Sequence, residues 1–151
     1  MDRGRFTGSA FWLAGLVVLL TGAGLFVAFG PRPEPPRVKV RHILISFGGA
    51  AVPSIKTKAE AEKLAFEILD RARNGEDFEA LEKRYSDDPN PSPYTISNIG
   101  IKPQTTGEMG RLELVKSFGD VSFKLRVGEI RMAAYDPPSS PFGWHIIKRI
   151  E

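Results

Sequence analysis

The sequence predicts an α+β domain in which helices pack on a small, largely antiparallel sheet, preceded by a hydrophobic N-terminal segment. Three observations support this prediction: a strand pattern opens the polar part of the chain, helix patterns follow it, and two further strand patterns close it. The chain has 151 residues, of which 42% are hydrophobic, so it has room for one domain with a single core.

Residues 11–29, which follow a short tail (residues 1–10), form an uninterrupted uncharged run. At about 1.5 Å per residue, a helix of this length spans a hydrocarbon core of roughly 30 Å, so we expect a transmembrane anchor. A cleaved signal peptide is the alternative, because Arg3 and Arg5 give a basic start and Thr21 to Ala23 resembles a small-residue cleavage site. The apolar run continues past that point, which favours the anchor.

Residues 30–36 contain four prolines and predict an extended linker, so the folded domain is expected at residues 37–151. In its first segment, from Arg37 to Ile45, a mostly apolar set of residues alternates with a second set that includes Lys39 and Arg41, which predicts a strand. Val38, Val40, His42 and Leu44 lie on one face of that strand. Residues 46–55 contain two glycines and a proline and predict a loop.

Two helices are expected next. Thr57 and Glu60 form a capping box, and the apolar residues that follow recur at helical spacing until Asn74 and Gly75 end the pattern. Asp77 is suited to cap a second, shorter helix, which ends before Pro89.

Residues 90–106 contain three prolines and many small polar residues, which predict a long irregular segment. Apolar residues then recur at helical spacing from Leu114 to Leu125. Residues 130–135 and 143–150 predict two closing strands.

Composition excludes several kinds of site. The chain has no cysteine, so it has no disulfide, no thiolate nucleophile and no cysteine-based metal site. From Pro31 onward it carries 19 Lys or Arg against 17 Asp or Glu, a balance that gives no support to nucleic-acid binding.

Seven separated motifs resemble those of the parvulin family of peptidyl-prolyl cis/trans isomerases. They occur in the family's order from Val38 to Glu151, and together they are far more specific than any one alone. They are the opening strand with His42, the helix pair from Thr57 to Phe78, Tyr85 to Pro89, Gly107 to Gly110, Phe118 to Leu125, Val127 to Ile130, and Phe142 to Lys148.

The resemblance implies a four-stranded antiparallel sheet wrapped by helices, and rotation about X-Pro bonds without a cofactor or metal. It also implies clients that are unfolded or partly folded proline-containing proteins and, for a family member with an N-terminal anchor, a domain outside the cytoplasm. His42, Asp88 and His145 match the family's active-site cluster, and Met109, Leu114 and Phe118 match its proline pocket. Phe142 and, more remotely, Ser140 fall where the family places an aromatic ring or a small hydroxyl near the substrate.

From the residues alone, ordinary structural roles remain open for these positions. A strand histidine is often a hydrogen-bonded core residue, Asp88 is suited to a turn before Pro89, and Leu114 and Phe118 have the spacing of a helix core.

The chain also departs from the family pattern. It is about three residues shorter between Gly110 and Phe118, and residues 90–106 are longer than their counterpart. Residues 46–55 carry no basic residue, so no preference for phosphorylated substrates is expected. The shortened segment leaves a second possibility open, a non-catalytic chaperone or binding module for proline-containing segments, and an accessory subunit of a membrane complex is a third.

Overall fold

The computed structural model describes residues 33–90 and 93–151. The transmembrane helix expected at residues 11–29 lies outside these described residues. Within them, no helix has both the length and the apolar character needed to cross a membrane. Contacts within the chain define one compact unit from Glu34 to Glu151.

One mixed sheet of five strands forms the centre of this unit. Its order is β3-β2-β1-β5-β4, so β1 is the central strand and β2 and β5 lie on either side of it. All neighbours pair antiparallel except β2 and β3, which are parallel. The strands are β1 (Arg37–Ile45), β2 (Tyr94–Ser97), β3 (Met109–Gly110), β4 (Ile130–Ala133) and β5 (Trp144–Arg149).

The expected four-stranded antiparallel sheet is therefore corrected to a five-stranded mixed one. The additional strand, β3, consists of two residues and pairs only with Ile96 and Ser97. Two residues cannot show the period-2 alternation by which strands are predicted.

The segment 90–106, expected to be irregular, is corrected as well, because β2 lies inside it. Tyr94 to Ser97 pairs with the first four residues of β1, from Arg37 to Val40. This pairing partner lies more than fifty residues away in the chain, so the strand depends on a non-local contact that local composition does not reveal.

Among the described residues, three α-helices flank the sheet: α1 (Lys58–Arg73), α2 (Phe78–Tyr85) and α3 (Lys116–Lys124). The capping box at Thr57 and Glu60 and the Asp77 cap are both present, as predicted. The third helix starts later than expected. Residues 111–113 form a 3-10 turn and Leu114 is extended (φ −95°, ψ 160°), so Leu114 precedes α3.

The two faces of the sheet carry separate cores. Ile43 and Ile45 of β1 pack with α1 and α2 on one face, whereas Val38 and Val40 pack with the α3 side on the other. His42 follows Val40 at the period-2 spacing of the strand and therefore shares the α3 face.

Arg111 ties the start of the compact unit to the α3 side of the domain. Its guanidinium forms ion pairs with Glu34 and with Asp120 of α3, and donates a hydrogen bond to Asn98 Oδ1 (2.9 Å). The side chain of Arg111 is 11% exposed, so these partners compensate a nearly buried charge.

Candidate active site

The two histidines of the chain lie on the adjacent strands β1 and β5 and face α3. Leu44 is opposite His145 and His42 is opposite Ile147, so the two imidazoles are neighbours on one face of the sheet. Their rings are nearly parallel, with centroids 5.4 Å apart, and their Nδ1 atoms are 3.2 Å apart. Both side chains are buried.

Asp88 reaches this pair from the loop after α2. Its Oδ2 lies 2.8 Å from His42 Nε2 and accepts a 3.3 Å hydrogen bond from the Tyr94 hydroxyl, while its Oδ1 accepts a 2.8 Å hydrogen bond from the Asn90 backbone N–H. Burial raises the pKa of Asp88, but the hydrogen bonds from His42 and Asn90 outweigh it, so the pKa lies below the usual 3.8. Asp88 is therefore a carboxylate at neutral pH.

His145 is the deepest member of the group and stays uncharged. Burial, followed by the proximity of His42, lowers the pKa of His145 from 6.5 to about 3, although Asp88 acts in the opposite direction. Its Nε2 is buried and has no hydrogen-bond partner among the residues that the structure describes.

The contacts determine where the protons lie while His42 is neutral. An ionised carboxylate only accepts, so His42 carries its proton on Nε2 and leaves Nδ1 as an acceptor. His145 must then donate from Nδ1, and its Nε2 is a bare lone pair. A single chain of hydrogen bonds thus runs from His145 through His42 to Asp88.

An aromatic and aliphatic wall faces this polar group. Phe118 of α3 meets both imidazoles edge to face, with ring centroids 5.0 Å from His42 and 5.4 Å from His145. Together they enclose a cavity of about 640 Å³, within the usual size range of small ligand sites. The cavity is lined by His42, Asp88, Asn90, Tyr94, Met109, Glu113, Leu114, Val115, Phe118, Phe142 and His145.

All seven site residues expected from the sequence lie on this one cavity. Ser140 is different: it is fully buried and its hydroxyl donates to the Gly143 carbonyl (3.1 Å), and it is not among the lining residues. Gly143 itself has φ +138° and approaches the Ile45 carbonyl so closely that a Cβ would overlap it. This close approach brings the loop that carries Phe142 against the end of β1.

Four lining residues were missed by the sequence analysis: Asn90, Tyr94, Glu113 and Val115. Tyr94 is the most important, because its ring packs edge to face on His42 (5.2 Å) while its hydroxyl binds Asp88. Burial, and then the charge of Asp88, raises the pKa of Tyr94 to about 12, so its hydroxyl remains a donor. The alternation of Tyr94 and Ile96 with Thr95 and Ser97 is the one local sign of this strand.

The cavity has an acidic rather than a basic lining. Asp88 and Glu113 contribute carboxylates, and no Lys or Arg is found among the described residues that line it.

Comparisons with known proteins agree on one family. The model of the PPIC-type PPIASE domain matches residues 25–151. Foldase protein PrsA 4 of Bacillus cereus is 35% identical over 113 residues, which are 75% of this chain and 31% of that protein. Chaperone SurA of Pseudomonas fluorescens is 35% identical over 112 residues, which are 74% of this chain and 22% of that protein.

The chain thus spans a third or less of the length of these curated relatives. Among solved structures, peptidyl-prolyl isomerase ESS1 from Candida albicans superposes with a TM-score of 0.55 at 18% identity, covering 93% of this chain and 77% of that one. At this identity the likeness concerns the fold.

Proposed function

Because the chain belongs to the PPIC-type peptidyl-prolyl isomerase family, we propose that it catalyses cis/trans rotation about X-Pro bonds in unfolded or partly folded client proteins. One observation carries the proposal: a cavity of about 640 Å³ has an apolar wall of Met109, Leu114 and Phe118 opposite the hydrogen-bonded group of His42, Asp88 and His145. No cofactor or metal is required for this reaction, since no bond is cut.

The apolar wall is suited to the proline ring, which is a compact apolar object. Rotation about the amide has a barrier of about 18–20 kcal/mol, because it breaks the resonance that keeps the peptide planar. A thousandfold acceleration requires about 4 kcal/mol of preferential binding to the twisted form. In a cleft from which water is excluded, a few electrostatic contacts are sufficient for this.

The polar group would supply those contacts. In the planar amide the carbonyl oxygen carries a shared negative charge, which it loses as the bond twists. A carboxylate at Asp88 disfavours the planar, charge-separated form when the carbonyl lies close to it, and thereby favours the twisted form. His42 holds Asp88 in place and helps to keep it ionised, while His145 holds His42, so in this proposal both histidines are positioning residues.

The assay is isomerisation of a proline-containing peptide by the full-length chain in detergent, followed by NMR exchange. We expect catalysis in the wild type and its loss in the double variant Phe118→Ala/Asp88→Ala. The matched control is Phe66→Ala/Asp70→Ala, which removes an exposed ring and an exposed carboxylate from α1. Catalysis that survives the cavity variant would show that the site is wrong.

The second candidate, supported by the name of the relative Chaperone SurA, is a module that binds proline-containing segments without catalysis. The same experiment separates the two functions. A binding module would shift the peptide resonances on titration while the rate of exchange between the cis and trans forms stayed at its uncatalysed value.

For residues 11–29 we propose a single transmembrane anchor, with the domain outside the cytoplasm. The support is the uncharged length of the run and the proline-rich linker that follows it. The test is a reporter enzyme that works only outside the cytoplasm, fused after Glu151. We expect this reporter to be active. An active cytoplasmic reporter would refute this orientation.

A further inference from the structure

The directions of the five strands bring three turns and the start of the domain to one end of the sheet. β1 starts at this end, at Arg37, and its neighbours β2 and β5 run antiparallel to it, so both finish there. β3 is parallel to β2 and finishes there too, whereas β4 is antiparallel to β5 and starts there. The turns 98–101, 111–113 and 126–129 therefore share this end, which we call the entry end.

The entry end carries most of the exposed large apolar side chains of the domain. Among the described residues, six such side chains are exposed, and four of them lie in these turns: Ile99 (61%), Ile101 (37%), Leu112 (79%) and Val127 (63%). Ile99 and Leu112 are neighbours, because they line one cavity of about 300 Å³. Exposed apolar side chains gathered on one surface are typical of contact with a protein or a membrane.

Hydrogen bonds hold the start of the domain against the same turns. The backbone N–H of Asn98 donates to the Pro36 carbonyl (2.9 Å), and its side-chain amide donates to the Pro35 carbonyl (3.1 Å). Arg111, in the turn after β3, forms an ion pair with Glu34. The chain from residue 34 onward is therefore fixed beside the exposed side chains.

Only a short stretch of chain separates the entry end from the anchor proposed for residues 11–29. The five residue steps from Phe29 to Glu34 span at most about 18 Å when fully extended. A tether this short gives the entry end a high effective concentration at the bilayer surface. A weak affinity for lipid is then sufficient for lasting contact.

The entry end also has positive charges that ion pairs do not use. Lys102 lies there, because its carbonyl accepts a hydrogen bond from Arg37 (2.8 Å). Lys124 ends α3 there, since the carbonyl of the next residue, Leu125, accepts from Arg149 at the end of β5 (2.9 Å). Neither lysine forms an ion pair with a carboxylate within the part of the chain that the structure describes. Such lysines are attracted to anionic headgroups.

Carboxylates at the entry end would repel the same headgroups. Several of them are neutralised by ion pairs: Glu34 with Arg111, Glu108 with Arg37, and Glu151 with Lys39. Exposed aliphatic side chains beside unpaired lysines are the combination by which proteins bind at the surface of a bilayer.

We propose that the entry end docks on the bilayer surface: its exposed aliphatic side chains enter the region between headgroups and acyl chains, and its unpaired lysines bind anionic headgroups. The inference rests on the proposed anchor and goes beyond the proposed isomerase activity. Docking directs the opposite end of β1 away from the membrane. Asp88 lies near that end, because the backbone N–H of Asp87 donates to the Leu44 carbonyl (2.8 Å). The carboxylate of the proposed site is thereby held away from the lipid.

The test uses the full-length chain in nanodiscs, one chain per disc, with its isoleucine methyl groups labelled for NMR. Part of the lipid carries a spin label just below the headgroup, which speeds the relaxation of nearby methyl groups. Ile55 is the internal reference: it is fully exposed, but it lies in the loop after the far end of β1, about 26 Å along the strand from the entry end. Since the enhancement falls steeply over such a distance, we expect it to be at least about tenfold larger at Ile99 than at Ile55.

Variants separate docking from the proximity that the tether alone provides. Leu112→Ser/Val127→Ser should lower the enhancement at Ile99 at least about threefold, because burial of these two side chains no longer favours docking. The matched control Ile55→Ser/Phe66→Ser removes two exposed apolar side chains from other surfaces and should leave the enhancement at Ile99 unchanged. Discs with anionic lipid should give an enhancement at Ile99 at least about twofold larger than neutral discs.

The possible failures can be told apart. Docking would be refuted, while the anchor stands, by equal enhancement at Ile99 and Ile55, by an enhancement that Leu112→Ser/Val127→Ser leaves unchanged, or by equal values in neutral and anionic discs. Release of the chain from the discs by alkaline carbonate would refute the anchor and docking together. Enhancement that appeared only in discs holding two chains would assign the surface to a second copy of the chain instead of lipid. Peptide isomerisation on the same samples reports separately on the proposed function.

Discussion

The buried imidazole of His145 should make the domain sensitive to mild acid. His145 is 4% exposed, and its pKa in the folded state is about 3, against 6.5 for the free side chain. The folded state therefore resists protonation at a position where the unfolded chain accepts a proton. Because the pKa of His145 is lower in the folded state than in the unfolded chain, His145 hardly changes the free energy of unfolding above pH 6.5. As the pH falls below 6.5, His145 lowers that free energy.

The size of the effect follows from the two pKa values. Each pH unit between about 6.5 and 3 lowers the free energy of unfolding by about 1.4 kcal/mol, so the loss at pH 5 is about 2 kcal/mol relative to pH 7. At pH 5 the carboxylates with lowered pKa values, such as Glu34, remain ionised and contribute little to the change.

Urea unfolding of residues 33–151 at pH 7 and pH 5 measures this loss. The fragment retains Glu34, the partner of Arg111, and includes both cores. His145→Gln supplies the comparison, since the amide does not titrate. Its free energy of unfolding at pH 7 should be lower than that of the wild type. Between pH 7 and pH 5, however, the variant should lose about 2 kcal/mol less of that free energy than the wild type does. If the wild type and His145→Gln lost the same amount, the reasoning about a neutral buried imidazole would be refuted.

Three further predictions concern single residues. Gly143→Ala should lower the free energy of unfolding by about 3 kcal/mol or more, since the added Cβ overlaps the carbonyl of Ile45 in β1. Gly128→Ala, where φ is positive but the space around the residue is open, should lower it by about 1 kcal/mol. Equal losses in urea unfolding would contradict this difference. Arg111→Ala should cost about 2 kcal/mol by the same measurement, because it leaves Glu34 without its ion-pair partner and Asp120 with Lys116 alone, whereas Lys39→Ala at an exposed pair should cost less than about 0.5 kcal/mol. Asp88→Ala should remove the acceptor of the His42 Nε2 proton and so shift the tautomer equilibrium of the neutral histidines, which imidazole ¹⁵N chemical shifts report directly; unchanged shifts would show that the carboxylate does not set the tautomers.

The parts of the fold that local chemistry determines were predicted from the sequence. The capping box at Thr57 and the cap at Asp77 satisfy backbone groups only a few residues away, so the first two helices were predicted with their correct starts. The alternation in β1 likewise placed His42 on its face of the sheet, because the period of a strand depends on the strand alone.

The parts that depend on distant partners were not predicted. β2 depends on its pairing with β1, and β3 on its pairing with β2; the only local sign of β2 is an alternation over four residues, and β3 is too short to have one. Tyr94 was missed for that reason, and with it the hydroxyl that binds Asp88. The start of α3 was placed too early because Leu114 has the spacing of a helix residue but is extended in the cavity wall.

The buried imidazoles and the exposed aliphatic side chains of Ile99 and Leu112 differ in how freely they can change during evolution. The imidazoles belong to β1 and β5, which have a strand on either side, so a substitution there disturbs the whole sheet. Ile99 and Leu112 stand on short turns at the surface, where replacement leaves the cores untouched. Substitutions at these turns therefore change the surface of the domain while the sheet that holds the imidazoles is retained.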